Sequence, residues 1–100
     1  MSVRAISIRE VEGYLQRPGT RLVDLRSREE YDQYHLEGAM NVPYEENFQP
    51  EGRLEHGYRY ILYCERGGVS LKAARRMSES GYEVFTVIGG IKAWEDLYGF

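Results

Sequence analysis

Tyr60-Ile61-Leu62-Tyr63-Cys64-Glu65-Arg66-Gly67-Gly68-Val69-Ser70 runs from an apolar, aromatic segment into a cysteine, a glycine-bearing turn and the start of a helix. The span from Tyr58 to Tyr63 predicts a strand covered on both faces, because it does not alternate with polar residues as a half-exposed strand would. Glu65 to Gly68 must turn, and a helix follows from Val69 or Ser70 with Ala73, Ala74 and Met77 inward. Gly81 stands where a left-handed C-terminal cap belongs.

The same alternation extends in both directions. Upstream, Ala5-Ile6 is extended and Ser7-Ile8-Arg9-Glu10 forms a capping box, with Ile6 and Val11 placed as a hydrophobic staple. Ile8, Val11 and Leu15 follow at helical spacing until Arg17-Pro18-Gly19 stops the pattern. Arg21 to Leu25 predicts a strand. Ser27-Arg28-Glu29-Glu30 is a second capping box for a short helix through Tyr31 and Tyr34 that ends near His35 and Gly38. Gly38 to Val42 is extended, and Tyr44 to Gly57 is the longest irregular stretch. Downstream, Glu83 to Ile88 predicts the last strand and Gly89-Gly90 breaks it. Ile91, Trp94 and Tyr98 then share one face of a closing helix, with Trp94 as a core anchor. Short strands alternating with helices favour a parallel sheet, since each crossover needs a helix to return the chain to the same edge. The expected fold class is therefore α/β, in a single domain spanning residues 1–100. In such sheets ligands gather at the carboxyl ends of the strands, where Cys64 falls.

Composition narrows the function classes. The chain has 100 residues, 13 Lys plus Arg against 16 Asp plus Glu, and 42% apolar residues. That balance suits a soluble protein and carries no basic stripe for nucleic acid. No apolar run approaches the ~20 residues of a membrane-spanning helix, and Met1-Ser2-Val3-Arg4 lacks a signal-peptide pattern, so a cytoplasmic location is expected. The nine Tyr are scattered and predict core edges and half-buried surface. A lone cysteine forms no internal disulfide, no Cys-x-x-Cys pair and no thiolate zinc site, so Cys64 would act as a lone thiol.

Cys64 has a bland reading, a small buried hydrophobe at a strand end. Its loop argues otherwise. Gly67 and Gly68 can both take positive φ and let successive amide N–H groups converge on an anion, while the following helix N-terminus and Arg66 favour the thiolate. Glu65 opposes them unless its side chain points outward. Three cysteine chemistries compete here. A Cys-x5-Arg phosphatase needs an arginine where Ser70 stands. A Cys-His hydrolase would need His35 or His56, and neither lies in a catalytic setting. Sulfur transfer needs only a thiolate and donors that hold a persulfide anion, and for it neither metal nor organic cofactor is expected. Asp24 and Arg26, at the end of a strand, are read as structural support near the site, the carboxylate capping a loop and pairing with the guanidinium. His35 is read as satisfying local backbone groups. Gly89-Gly90 is read as a permissive start to the last helix, without the third glycine of a dinucleotide fingerprint.

These motifs resemble a known family. Val23-Asp24-Leu25-Arg26, Glu30-Tyr31 and His35-Leu36-Glu37-Gly38-Ala39-Met40-Asn41-Val42-Pro43 are similar to the N-terminal signature of rhodanese domains. Val87-Ile88-Gly89-Gly90-Ile91-Lys92-Ala93-Trp94 is similar to their C-terminal one, and the cysteine loop lies between. The resemblance implies about five parallel strands flanked by helices on both faces. It also implies a sulfurtransferase of the thiosulfate:cyanide type, with Cys64 as nucleophile and persulfide carrier. The backbone amides of Glu65, Arg66, Gly67, Gly68, Val69 and Ser70 would cradle the outer sulfur, with the Ser70 hydroxyl as a further donor. The six residues Cys64 to Val69 match the loop length of sulfur-transferring members. Many bacterial members carry Arg where this chain has Val69, which predicts weak use of thiosulfate. The expected partners are a small-molecule sulfur donor and a thiol or cyanide acceptor, or a protein persulfide donor or acceptor. The alternatives are a non-enzymatic rhodanese-like binding or regulatory module, or a sulfur relay that works only with a partner docked near Tyr44 to Gly57.

Overall fold

The computed structural model describes residues 3–99. Five strands, β1 (Arg4–Ile6), β2 (Thr20–Asp24), β3 (Met40–Asn41), β4 (Arg59–Tyr63) and β5 (Glu83–Val87), form one sheet in the order β1-β5-β4-β2-β3. Every pairing is parallel, as the alternation of elements predicts. β4 lies in the middle, in register with β2 from Arg59 opposite Thr20 to Tyr63 opposite Asp24. From Tyr60 to Tyr63 both faces of β4 are therefore buried, which explains the unbroken apolar and aromatic run over those residues.

Four α-helices cover the sheet: α1 (Ile8–Leu15), α2 (Arg28–Gln33), α3 (Gly68–Glu79) and α4 (Gly90–Tyr98). On one face Ala73, Ala74 and Met77 of α3 pack on Val23, Tyr60, Leu62 and Val84. On the other, Val11 of α1 and Ile91 of α4 pack on Leu22, Ile61, Phe85 and Val87, and the tyrosines Tyr31 of α2 and Tyr34 just after it lie against them. The helix starts follow local chemistry. The Glu10 carboxylate accepts the Ser7 N–H at 2.8 Å, and Ile6 and Val11 are both buried as a staple requires. At α2 the Ser27 hydroxyl accepts the Glu30 N–H at 3.2 Å while Glu30 reaches back to the Ser27 N–H. α3 ends in a Schellman arrangement: the Tyr82 N–H donates to the Met77 carbonyl and the Gly81 N–H to that of Ser78, with Gly81 at φ +90°.

The structure corrects several expectations. Tyr60, Tyr63 and Tyr82 are fully buried rather than at core edges, because each hydroxyl finds a partner inside: Glu55 carbonyl, Asp24 carboxylate and Leu54 carbonyl. The stretch from Tyr44 to Gly57 is mostly irregular, with one short 3-10 turn (Pro50–Gly52). Phe48 and Leu54 nonetheless anchor it in the α3-side core. Trp94 is only partly buried and lines a surface groove beside Tyr34 and Tyr98 instead of anchoring the core. α3 begins at Gly68, earlier than its side chains suggest, because Gly67 supplies the turn.

Candidate functional site

β4 delivers Cys64 to the carboxyl edge of the sheet, on the face covered by α3. The thiol is 4% exposed. Gly67, at φ +108°, reverses the chain so that its own N–H and that of Ser70, in the first turn of α3, both point at the sulfur. Each donates to Cys64 Sγ at 3.2 Å. A sulfur that accepts two amides at a helix N-terminus sits where negative charge is stabilised.

Only part of the expected cradle touches Sγ. Among the described residues the amides of Glu65, Arg66, Gly68 and Val69 make no hydrogen bond to it. Gly68 does not take positive φ, since it is already the first residue of α3. The Ser70 hydroxyl is not aimed at the thiol either. It donates to the Gly67 carbonyl at 3.1 Å and lies 2.7 Å from the Thr86 hydroxyl. Arg66 is exposed, Glu65 is half-buried, and Val69 presents an apolar side chain that is 39% exposed.

The turn between β5 and α4 holds the cysteine loop from behind. The Ile91 N–H donates to the Cys64 carbonyl at 2.9 Å, and the Lys92 N–H to the Glu65 carbonyl at 3.1 Å. These are orphan amides of the first turn of α4, which need acceptors outside their own helix. In a trans peptide the N–H points opposite to the carbonyl, so pinning both carbonyls to α4 turns the Glu65 and Arg66 N–H groups away from it. Gly90 makes this approach possible. It has φ +60°, and a Cβ there would lie 2.6 Å from the Glu65 carbonyl oxygen and closer still to that of Cys64. The sequence pattern marks Gly89-Gly90 only as a permissive helix start, although two adjacent glycines opening a helix also signal close backbone approach.

Asp24 and Arg26 stand at the same sheet edge but on the other face. Asp24 is fully buried. Its carboxylate accepts the Arg26 backbone N–H at 2.8 Å, the Arg26 guanidinium at 2.9 Å and the Tyr63 hydroxyl at 2.6 Å. The Tyr63 hydroxyl in turn accepts the Leu36 N–H at 3.0 Å. Burial, and then the bond to Asp24, push the Tyr63 phenol far above its ordinary range, so it stays a donor. Among the described residues neither Asp24 nor Arg26 makes a hydrogen bond to Cys64; the carboxylate of Asp24 is linked to it through Tyr63, the residue before it. His35 lies away from the site, with Nδ1 2.7 Å from the Tyr31 carbonyl and its ring stacked on Tyr31. His56 stacks on Tyr82. Neither histidine is brought to the cysteine. Among the described residues no cluster of His, Cys, Asp or Glu is arranged to hold a metal ion, and no helix is long and apolar enough to cross a membrane.

Comparison with known proteins agrees with this geometry. The sequence profile of the rhodanese-like domain matches residues 7–97. The chain is 40% identical over 81 residues to the centrosomal protein of 41 kDa of Xenopus tropicalis, covering 71% of this chain but 22% of that protein. It is thus similar to one segment of a longer relative. It is 33% identical over 89 residues to thiosulfate sulfurtransferase 16 of Arabidopsis thaliana, covering 76% of this chain and 74% of the relative. A rhodanese-related protein from Thermoplasma volcanium superposes with a TM-score of 0.82 over 93% of this chain and 91% of its own, at 24% identity, a likeness of fold. A parallel five-stranded sheet, a cysteine loop at its carboxyl edge and a profile match over nearly the whole chain together make this protein a member of the rhodanese-like domain family.

Proposed function

We propose that the chain is a sulfurtransferase that carries a sulfane sulfur as a persulfide on Cys64. The observation that carries this reading is the pair of amide donors, Gly67 and Ser70, on a nearly buried sulfur at the N-terminus of α3. The Cys64 thiolate attacks the outer sulfur of the donor, the S–S bond of the donor breaks, and its electron pair leaves with the donor's remaining fragment. An acceptor nucleophile such as cyanide or a thiolate then attacks the outer sulfur and returns Cys64 as thiolate. In the persulfide, negative charge moves one atom outward, where the Glu65 and Arg66 amides, turned away from α4, face it together with those of Gly67, Gly68, Val69 and Ser70. Asp24 and Arg26 support the edge from the other face and take no part in the chemistry.

Thiosulfate, a low-molecular-weight persulfide and a protein persulfide all fit this step as donors. Val69 offers no charge to hold a dianion, and Arg66 supplies the positive charge at the rim. Persulfide donors are therefore expected to load Cys64 at lower concentration than thiosulfate. The test is intact-protein mass after incubation with thiosulfate or glutathione persulfide, for wild type and Cys64→Ser, followed by cyanide. The expected result is the gain of one sulfur atom by wild type alone, reversed by cyanide with thiocyanate formed. No gain from either donor would refute the reading for small donors and favour a non-enzymatic binding module or a dedicated protein donor.

A further inference from the structure

We propose that Thr86 is a positioning residue for the cysteine loop and acts through the hydroxyl of Ser70, an inference that rests on reading Cys64 as the sulfur carrier. Thr86 lies on β5, opposite Leu62 of β4, and its side chain is buried among the residues that face α3. An aliphatic side chain would serve the packing there equally well, as Val84 does two residues earlier on the same face. The Thr86 hydroxyl has one hydrogen-bond partner among the described residues, Ser70 Oγ at 2.7 Å. Ser70 is itself fully buried, and its Oγ also reaches the Gly67 carbonyl at 3.1 Å.

The protons can be placed by counting donors. Each hydroxyl carries one proton, and in a buried site each seeks an acceptor. If Ser70 donated to Thr86, the Thr86 proton would be left without an acceptor and the Gly67 carbonyl would lose its contact from the Ser70 side chain. If Thr86 donates to Ser70 Oγ, the Ser70 proton goes to the Gly67 carbonyl and every group is satisfied. Thr86 thus sets the rotamer of Ser70, and the Ser70 hydroxyl adds a second bond to the Gly67 carbonyl, which also accepts the Leu71 N–H at 3.1 Å in the first turn of α3. The two residues that Ser70 Oγ bridges, Gly67 and Ser70 itself, supply the two amides on Cys64 Sγ. The chain of contact runs from β5 through two hydroxyls to the geometry around the sulfur.

The test compares wild type with Thr86→Val, Thr86→Ser, Ser70→Ala and the double variant Ser70→Ala/Thr86→Val. The readouts are the thiolate fraction at neutral pH, from ultraviolet absorbance lost on alkylation, and the rate of alkylation by iodoacetamide. Thr86→Val is expected to lower both by about 2- to 10-fold, the range spanned by one buried hydrogen bond. Thr86→Ser should restore them, and Thr86→Val should add no further loss once Ser70 is Ala. A wild-type thiolate fraction in Thr86→Val, with only a lower melting temperature, would overturn the proposal by showing a purely structural role. An equal loss in the Ser70→Ala background would overturn it by showing that Thr86 does not act through Ser70. Should Thr86→Val fail to fold, Thr86→Ala is read in its place by the same criteria. Neither readout needs a sulfur donor, so a wild-type chain that takes up no sulfur would refute the sulfur-carrier reading for small donors and leave this test standing.

Discussion

Replacing Gly90 with alanine attacks the cysteine loop from a residue that never touches the thiol. The added Cβ would lie 2.6 Å from the Glu65 carbonyl oxygen and closer to that of Cys64, so the loop or the start of α4 must move to relieve the collision. Such a shift breaks or stretches the Ile91 and Lys92 bonds to those carbonyls, each worth about 1 kcal/mol. Alanine at φ +60° adds roughly 1–2 kcal/mol of backbone strain. The expected loss is about 3–4 kcal/mol, a large share of the roughly 5–15 kcal/mol that holds a domain folded. Gly38→Ala is the matched control. Gly38 has φ +85°, and a methyl group added there would meet nothing within 4 Å, so it carries the strain without the collision and should lose only about 1–2 kcal/mol. Urea unfolding followed by circular dichroism reads both variants, and alkylation of Cys64 reads the loop. Equal destabilisation in Gly90→Ala and Gly38→Ala, with unchanged alkylation in both, would refute the claim that α4 clamps the loop.

Two further substitutions probe the loop and a third its support. Gly67→Val should slow alkylation and sulfur loading at least tenfold, roughly what is lost when a charge-stabilising donor turns away, because valine resists φ +108° and its Cβ would meet the Gly89 nitrogen at 3.2 Å. Gly68→Ala, at a helical position open to solvent, should instead raise stability in urea unfolding by about 0.5–1 kcal/mol, and a loss there would show that Gly68 needs its conformational freedom after all. Tyr63→Phe removes the hydroxyl between Asp24 and the Leu36 N–H and should cost about 2 kcal/mol at neutral pH. It should also flatten the alkaline limb of stability. The phenol is raised in the folded state, so its contribution is complete below the ordinary tyrosine range of about 10 and is lost as pH rises above it, where the unfolded chain releases the proton first. Urea unfolding across that range checks the sign, and a limb as steep in Tyr63→Phe as in wild type would exclude Tyr63 as its source.

The layer order is legible in the sequence because each element carries its own local signal. Two Ser-x-x-Glu boxes start α1 and α2, Gly81 closes α3, and the apolar and aromatic run before Cys64 marks a central strand. The cysteine and its turn are legible for the same reason: five adjacent residues define them. What stays hidden is non-local. That Asp24 faces away from the thiol depends on the pairing of β2 with β4 and on strand alternation, which together point it at Tyr63 instead. The roles of Thr86 and Gly90 depend on β5 and α4 coming back against the loop: Thr86 announces nothing of it, and the Gly89-Gly90 pair signals a close backbone approach without naming what approaches. The burial of Tyr63 and Tyr82 escapes a local reading because each depends on an acceptor from a distant part of the chain, Asp24 at 39 residues and Leu54 at 28, whereas Tyr60 donates to the Glu55 carbonyl only five residues before it.

The clamp on the Cys64 and Glu65 carbonyls has a consequence for how the protein comes into being. Both donors belong to the first turn of α4, which follows every other helix in the order of synthesis of the described residues. A nascent chain that has emerged only through β5 already holds the strand and turn around Cys64, but nothing yet fixes those two peptide planes. In an unfinished or clipped chain lacking α4 the Cys64 and Glu65 carbonyls should therefore be unheld, and the loop's final geometry would arrive with that helix. Order in the cysteine loop thus doubles as a sign that folding has passed the last strand of the sheet.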